Sequence, residues 1–538
     1  MKLLQLRDEC WAASEPAHAR MRREWQIYHN KPYDDDEKIL PEVPLRAHAS
    51  LNPMIQKGIL RLISPFVEQA VRIEVQPDRS DHTEEDLVWT QDLANWNTMM
   101  EEADGEAETL KTIVLHNLVC GTAITKTHFD QRTRIVRSEA IHPDTFAVDG
   151  EASRVDLSDA MVVCQQYWFD EYYLRRHYDW TPRSTTDRFS RIDRRFGEPT
   201  HRLDEMWIRR EVLEECDEDI DLSALEDTRK QMFRAVLIDD EVITVRSTPY
   251  MWPSFPYSVW RNFTSVLQDR RAMDFFGFGY GTLLSPQQKF LDEMLATLVA
   301  ISRNMPTGQV VITEGTMDRE QQHNLDGQVI QLLTGKEIGR DFQQMPAMDV
   351  PTIFSEMVNY ISQVMQEQMP SLSEVFTGES PGSGSSGRAI NSLQWAAFTQ
   401  LSDNLRAFNE MRKHRMRQRL TLIQQFAKKP ISPHIWRGGL DLPDYFPREA
   451  RYTGFNLVMP DAASMPQSPA AKLQIIQTFA AMGYIMPIED MLKITGFDKG
   501  YGLTADMFQQ MPMAPPGQGG APVVPGVDRM SGVEAPLP

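Results

Sequence analysis

Residues 388–428 carry one uninterrupted helical pattern, and no other stretch limits the architecture as much. Ile390, Leu393, Ala397, Leu401, Leu405 and Phe408 recur with the 3.6-residue period. Pro430 closes the run. About 40 residues at ~1.5 Å each make a rod of roughly 60 Å, longer than a small domain is wide. Its surface carries the basic patch Arg412, Lys413, Arg415, Arg417 and Arg419. That patch reads as a solvated face or the partner of an acidic loop such as 211–221, or else as an intersubunit or phosphate-facing site.

Upstream of the rod the pattern is mixed. Residues 1–120 read as mostly helical, broken by the acidic turn Asp34-Asp35-Asp36-Glu37. In 107–119, Leu110, Val114 and Leu118 keep helical spacing, and Gly121 suits a left-handed cap. AITKTHFD and TRIVRSEAI alternate around Asp130-Gln131-Arg132 and predict a β-hairpin. Residues 232–246 predict two strands around an Asp239-Asp240 turn. A helix over 286–304 places Leu291, Leu295 and Leu298 on one face and Lys289 and Arg303 on the other. Glycines break 307–349 into short strand-like pieces. A second helix over 350–369 keeps Ile353, Met357, Tyr360, Ile361 and Val364 in register until Pro370. A smaller helical unit is expected over 430–510, and the Pro/Gly-rich tail from 511 is expected to be disordered. The fold class is α+β, predominantly helical. At roughly 150 residues per domain the chain makes about three or four domain-sized units.

Motifs that carry chemistry are incomplete. Gly378-Glu379-Ser380-Pro381-Gly382 fits G-x-S-x-G, so a serine hydrolase using Ser380 is one alternative reading. A nucleophile elbow, however, sits between a strand and a helix, and its oxyanion hole uses the N–H of the next residue. Here that residue is Pro381, which has none. Phe276–Gly281 (FGFGYG) misplaces the third glycine of a dinucleotide fingerprint and reads as a tight turn between aromatic anchors. Gly335-Lys336 lacks both the first Walker glycine and the following Ser/Thr. Asp217, Asp219 and Asp221 have calcium-loop spacing, but Leu222 and Thr228 stand where the turn glycine and the bidentate Glu belong. Cys10, Cys120, Cys164 and Cys216 form no C-x-x-C pair, and the histidines form no zinc motif. No enzyme activity, cofactor or metal is expected.

The formal net charge is −20, whereas tight duplex binders are normally basic because phosphate neutralisation drives their affinity. This excludes a conventional DNA binder but allows a surface that passes DNA without holding it. No run approaches the ~18 apolar residues of a membrane span. The start, MKLLQLRDECW, breaks into charge too early for a secretory signal, so the protein is expected to stay in the cytosol where it is made.

In order along the chain, several stretches resemble the portal proteins of tailed bacteriophages: NPMIQKGILRLISPFVEQAVRIEVQP, LVCGTAITKTHFD, IHPDTFAVDGEA, FGFGYGTLLSPQQKFLDEMLA, PSLSEVFTGESPGSGSSGRAINSLQ and AKLQIIQTFAAMGYIMPIEDMLKITGFD. The resemblance covers about 20–510. It implies a wing (1–283), a first stem helix (284–304), a clip (305–349), a second stem helix (350–369), a tunnel loop (370–387), a long wing helix (388–429), a crown (430–510) and a disordered tail (511–538). It implies a homo-oligomeric ring, dodecameric in the family, at one capsid vertex of the virion. Terminase would drive double-stranded DNA through it without sequence specificity, and a head-tail adaptor would dock on it later. Major capsid and scaffolding proteins are further implied partners, and no membrane is involved. On this reading the channel candidates are Lys289 and Arg303 on the stem and Thr377, Glu379, Ser383, Ser385, Ser386 and Arg388 at the tunnel loop. Arg412, Lys413, Arg415, Arg417 and Arg419 are intersubunit or DNA candidates. The alternative from the same class is another ring-forming virion adaptor with no packaging role.

Overall fold

A computed structural model of the chain describes residues 3–31, 50, 52–68, 73–78, 83–130, 132–133, 135–182, 200–215, 231–263, 275–304, 310–312, 342–344, 352–369, 401–426 and 455–458. It opens with two helices, α1 (Leu3–Tyr28) and α2 (Met54–Glu68), and a short strand, β1 (Glu74–Pro77). Helix α3 (Glu84–Asp104) starts with a reciprocal cap. The Thr83 hydroxyl accepts the Asp86 N–H at 3.3 Å and the Asp86 carboxylate accepts the Thr83 N–H at 3.1 Å. Glu84, Glu85 and Asp86 also suit the positive end of the helix dipole. Helix α4 (Glu106–Cys120) stops where its sequence says it must. Gly121 takes φ 73° and its N–H returns to the Asn117 carbonyl at 2.8 Å.

Two sheets follow. Strands β2 (Thr122–Asp130) and β3 (Ile135–Ile141) form the expected hairpin, with Lys126 opposite Glu139. The chain then passes through β4 (Phe146–Val148), β5 (Val162–Asp170), α5 (Glu171–Tyr178), β6 (Thr200–Arg209), α6 (Arg210–Glu214), β7 (Met232–Ile238), β8 (Glu241–Ser247) and β9 (Tyr257–Arg261). β9 returns to pair with β2, so one sheet has the order β3-β2-β9. The other is an antiparallel five-stranded sheet in sequence order, β4-β5-β6-β7-β8. The β7–β8 turn is the predicted Asp-Asp pair. Asp239 is held at φ 49°, and its carboxylate accepts the Arg202 N–H at 3.0 Å and contacts the His201 ring at 2.9 Å.

Helix α7 (Tyr280–Asn304), the paired short strands β10 (Val310–Ile312) and β11 (Phe342–Gln344), and helix α8 (Thr352–Gln368) come next. Helix α9 (Ser402–Phe426) is the described part of the predicted rod. Strand β12 (Phe455–Val458) pairs antiparallel with β1. The patterns over 370–400, most of 305–349, most of 430–510 and the tail from 511 lie outside the described residues. So do Ser380 and the acidic loop at 217–228. Helix α7 begins earlier than the 286 that periodicity alone predicts, because its first turn is tied to α1, as described below.

The main core gathers α1, α2, α4, the inner faces of both sheets and the bases of α7, α8 and α9. Phe66, Trp260 and Phe408 meet at its centre, with ring centroids 4.7–5.9 Å apart. Among the described residues no helix is long and apolar enough to cross a membrane. Cys10, Cys120 and Cys164 are free and buried.

A histidine pair sits at the edge of this core. The His116 ring is buried 5.2 Å from His142 and 6.0 Å from Trp25. Burial, and then the neighbouring His142, push its pKa down to about 3. The unfolded chain, with an ordinary histidine pKa of about 6.5, therefore binds more protons than the folded chain below that value. The stability associated with neutral His116 is fully present above pH ~6.5 and is lost as pH falls toward about 3. His116→Phe should remove that component. The difference in melting temperature between wild type and variant should shrink as pH drops from 7 to 4. A difference that stays constant over that range would show that His116 is not the titrating group.

Candidate functional site

Helix α7 packs against α1, α2 and α4, and the FGFGYG segment fixes where it starts. Phe275, Phe276 and Tyr280 are buried anchors. Between them the backbone lies directly on the end of α4. A Cβ on Gly279 would stand 1.9 Å from the Val119 carbonyl oxygen, and one on Gly121 would stand 2.2 Å from the Phe278 backbone. Only glycine allows this approach.

Polar contacts lock the segment from α1. The buried Glu24 carboxylate accepts the Gly279 N–H at 3.0 Å and the Thr282 hydroxyl. Arg20 donates to the Gly277 and Phe276 carbonyls at 2.6 and 3.3 Å. The Gly277 N–H reaches the Thr122 hydroxyl at 2.9 Å. Burial raises the Glu24 pKa despite these donors and the nearby Arg20. About two turns further along α7, Gln288 accepts the Met54 N–H at 3.1 Å and donates to Ser50 and the Asn52 carbonyl at 2.9 Å. Ser50 in turn donates to the buried Asp292 at 2.8 Å.

Helix α8 returns beside α7; Val358 and Ile361 pack against the main core, and Met365 and Met369, at and just past its end, are buried in it. Its earlier turns present Ile353, Met357 and Tyr360, which are 58%, 37% and 66% exposed. Their spacing puts all three on one side of the helix. Together they make an apolar stripe that the described residues leave uncovered.

The predicted site residues fall into three groups. Lys289 is exposed on α7, and Arg303 lies in the last turn of that helix. Thr377, Glu379, Ser383, Ser385, Ser386 and Arg388 lie outside the described residues. The basic patch on α9 divides by helical angle. Arg412, Arg415 and Arg419 point toward one side and Lys413 and Arg417 toward another. Arg415 is 2% exposed and pairs with Glu106, and Arg419 is 0% exposed. Arg419 donates to Asn97 at 3.1 Å and Ser138 at 3.0 Å and lies 3.5 Å from Asp104. The guanidinium of Arg412 lies 5.8 Å from the centre of the Phe408 ring, and burial, then Arg415, lower its pKa to about 10. The acidic partners of Arg415 and Arg419 are therefore on α3 and α4, not on a loop near 211–221. These two arginines are engaged inside the chain, and half-buried Lys413 and Arg417 remain on the other side.

Sequence reasoning did not single out Glu24 or Arg20. Helix α1 is rich in charge (Arg20, Arg22, Arg23, Glu24), and nothing in its local pattern marks which charge is buried. Among the described residues no group of three or more His, Cys, Asp or Glu side chains could hold a metal ion. The geometry describes a helical hairpin rooted in an α+β body, with an apolar face left open.

The family profile for the phage P22-like portal protein matches residues 4–432. No curated protein matches the chain.

The structural role of Arg419 is separable from the patch around it. Arg419→Met should cost about 3–5 kcal/mol, the usual penalty for removing one partner of a buried ion pair. Lys413→Gln should change stability by less than about 0.5 kcal/mol. Chemical denaturation of the two variants checks this. Equal small effects would mean that Arg419 is no buried anchor.

Proposed function

The chain belongs to the phage P22-like portal protein family, and from that membership we propose that it forms a closed ring at one capsid vertex. The channel of the ring would carry DNA inward during packaging and outward during ejection. The observation that most supports assembly is the open apolar stripe Ile353–Met357–Tyr360 on α8. An exposed apolar face of this kind is costly in water, and a neighbouring copy of the same chain can cover it. A contact between two different surfaces of one chain repeats around an axis, and it gives a ring when the rotation closes and an open filament when it does not.

On this reading α7 and α8 form the stem and residues 305–349 the clip, where terminase and later the head-tail adaptor would dock. Residues 370–387 form the tunnel loop, 388–429 the long wing helix and 430–510 the crown. Major capsid and scaffolding proteins would meet the outer surface. Lys289 and Arg303 are the stem candidates for facing DNA, and Arg388 and the uncharged Gly/Ser positions are the loop candidates. A formal charge of −20 per subunit suits a conduit. Each tight phosphate contact would add affinity through counterion release and slow the passing duplex. Lys413 and Arg417 are proposed to face a neighbouring subunit or DNA.

Negative-stain electron microscopy with mass measurement tests the assembly. Wild-type protein should give rings of about a dozen subunits with a channel wide enough for duplex DNA. Met357→Asp with Tyr360→Asp should lose at least about 2 kcal/mol per subunit contact and leave folded monomers, with unchanged far-ultraviolet circular dichroism. Rings that form normally from this double variant would remove the stripe from the interface. Lys289→Gln should leave rings intact and change packaging. Failure of its rings to form would make Lys289 structural.

A further inference from the structure

The two sheets do not close completely on each other. Between β2–β3 of one and β5–β6–β7 of the other lies a cavity of about 550 Å³. This volume is within the range of small-molecule sites, ~300–1,000 Å³. We propose that this cleft binds an aromatic anion, a flat ring carrying one carboxylate or phosphate group.

The walls supply the ring-binding surface. Tyr167, Phe169 and Tyr173 form a continuous stack with centroid separations of 5.7 and 4.1 Å and interplanar angles of 19° and 14°. A second stack joins Trp207 to Tyr250 at 5.7 Å and 15°. These rings, with Phe129 and Tyr178, line the cleft, and an aromatic wall of this kind accepts a further ring by edge-to-face contact.

The floor supplies the charge. Glu205 is buried, and it holds two cations: Lys126 at 2.5 Å and Arg234 at 2.7 Å. Lys126 also donates to the Tyr167 hydroxyl at 3.0 Å. One buried carboxylate is balanced by one cation, so the floor carries a surplus positive charge. Arg234 keeps 40% of its side chain exposed after binding Glu205 through Nε. A guanidinium held by one edge still offers donors to a second oxyanion. The other acid of the lining, Glu139, stands 53% exposed with His128 at 3.7 Å, where solvent screens it. Burial lowers the His128 pKa, so this ring adds no positive charge near neutral pH. The guest best matched to such a cleft puts its ring against the aromatic wall and its anion on Arg234.

Isothermal titration calorimetry on the full-length protein tests the site with two pairs of probes: N-acetylphenylalanine against its amide, and adenosine 5′-monophosphate against adenosine. At least one anion should bind saturably and about tenfold more tightly than its neutral counterpart. Preference for the carboxylate identifies an aromatic acid or peptide terminus as the source, and preference for the phosphate a nucleotide. Arg234→Met should weaken that anion by about tenfold. Glu139→Gln, at the rim and outside the buried pairing, should strengthen it, because a repulsive charge is removed. The proposal is overturned if neither anion saturates at millimolar concentration, if the neutral compounds bind equally well, or if Glu139→Gln weakens binding. Ring assembly is not part of this readout, so the outcome is independent of the proposed portal role.

Discussion

The rest of the structure depends on one close contact between backbones. Gly279 and Gly121 let the start of α7 lie against the end of α4 with no side chain between them. The same Gly121 caps α4 and releases β2, the central strand of the three-stranded sheet. One residue thus ends a helix, begins a sheet and seats the start of α7. The Glu24 carboxylate then holds the first turn of α7 from the other side, through the Gly279 N–H and the Thr282 hydroxyl. The direction of α7 is thus set by backbone packing and buried hydrogen bonds, both less adjustable than side-chain contacts.

Helix α9 plays the complementary part inside the body. From Arg415 to Gln424 nearly every side chain is buried, polar ones included. An apolar helix there would be held only by packing. Arg419 instead joins α9 to Asn97 and Asp104 on α3 and to Ser138 on β3, while Gln418 donates to the Phe255 carbonyl at 3.1 Å. Buried pairs of this kind give little net stability compared with well-packed apolar residues, but breaking one leaves a charge with no partner. Their effect here is to tie α3, β3 and α9 together in one register.

Much of this was legible in the sequence, and the limits have physical causes. The cap at Gly121, the β2–β3 hairpin, the Asp239-Asp240 turn and the helix ending before Pro370 follow from local rules, and each appears as read. The FGFGYG segment was legible as a turn between aromatic anchors, but not as a backbone-on-backbone seat, because its partner at Val119 is distant in sequence. The start of α7 was read too late for the same reason: Glu24 stabilises its first turn from another helix. On α9 the helical angle separates Arg412, Arg415 and Arg419 from Lys413 and Arg417. Periodicity does not say which face meets acids, and the acids that matter, Glu106 and Asp104, lie far back in the chain. The pairing of Lys126, Glu205 and Arg234 was not legible at all, since it joins two sheets whose mutual packing no local pattern encodes.

Charge then bears on how copies of this chain can meet. Several basic residues (Arg7, Lys126, Arg415 and Arg419 among them) are consumed in internal pairs with acids. The chain as a whole keeps a formal charge of −20. Like-charged subunits repel at a distance set by the Debye length, about 8 Å at physiological ionic strength. Charge complementarity is therefore a poor general source of cohesion for the proposed ring. A short-range apolar contact is a better one, because its strength follows buried area and does not depend on the sign of the surrounding charge. The stripe on α8 has that character, and it stands on a hairpin whose root is set by backbone packing. Such a root matters because a contact between flexible stems would lose in ordering what it gains in burial. In this chain the ordering is already supplied within the subunit, by Gly279, Gly121 and Glu24, before any neighbour arrives.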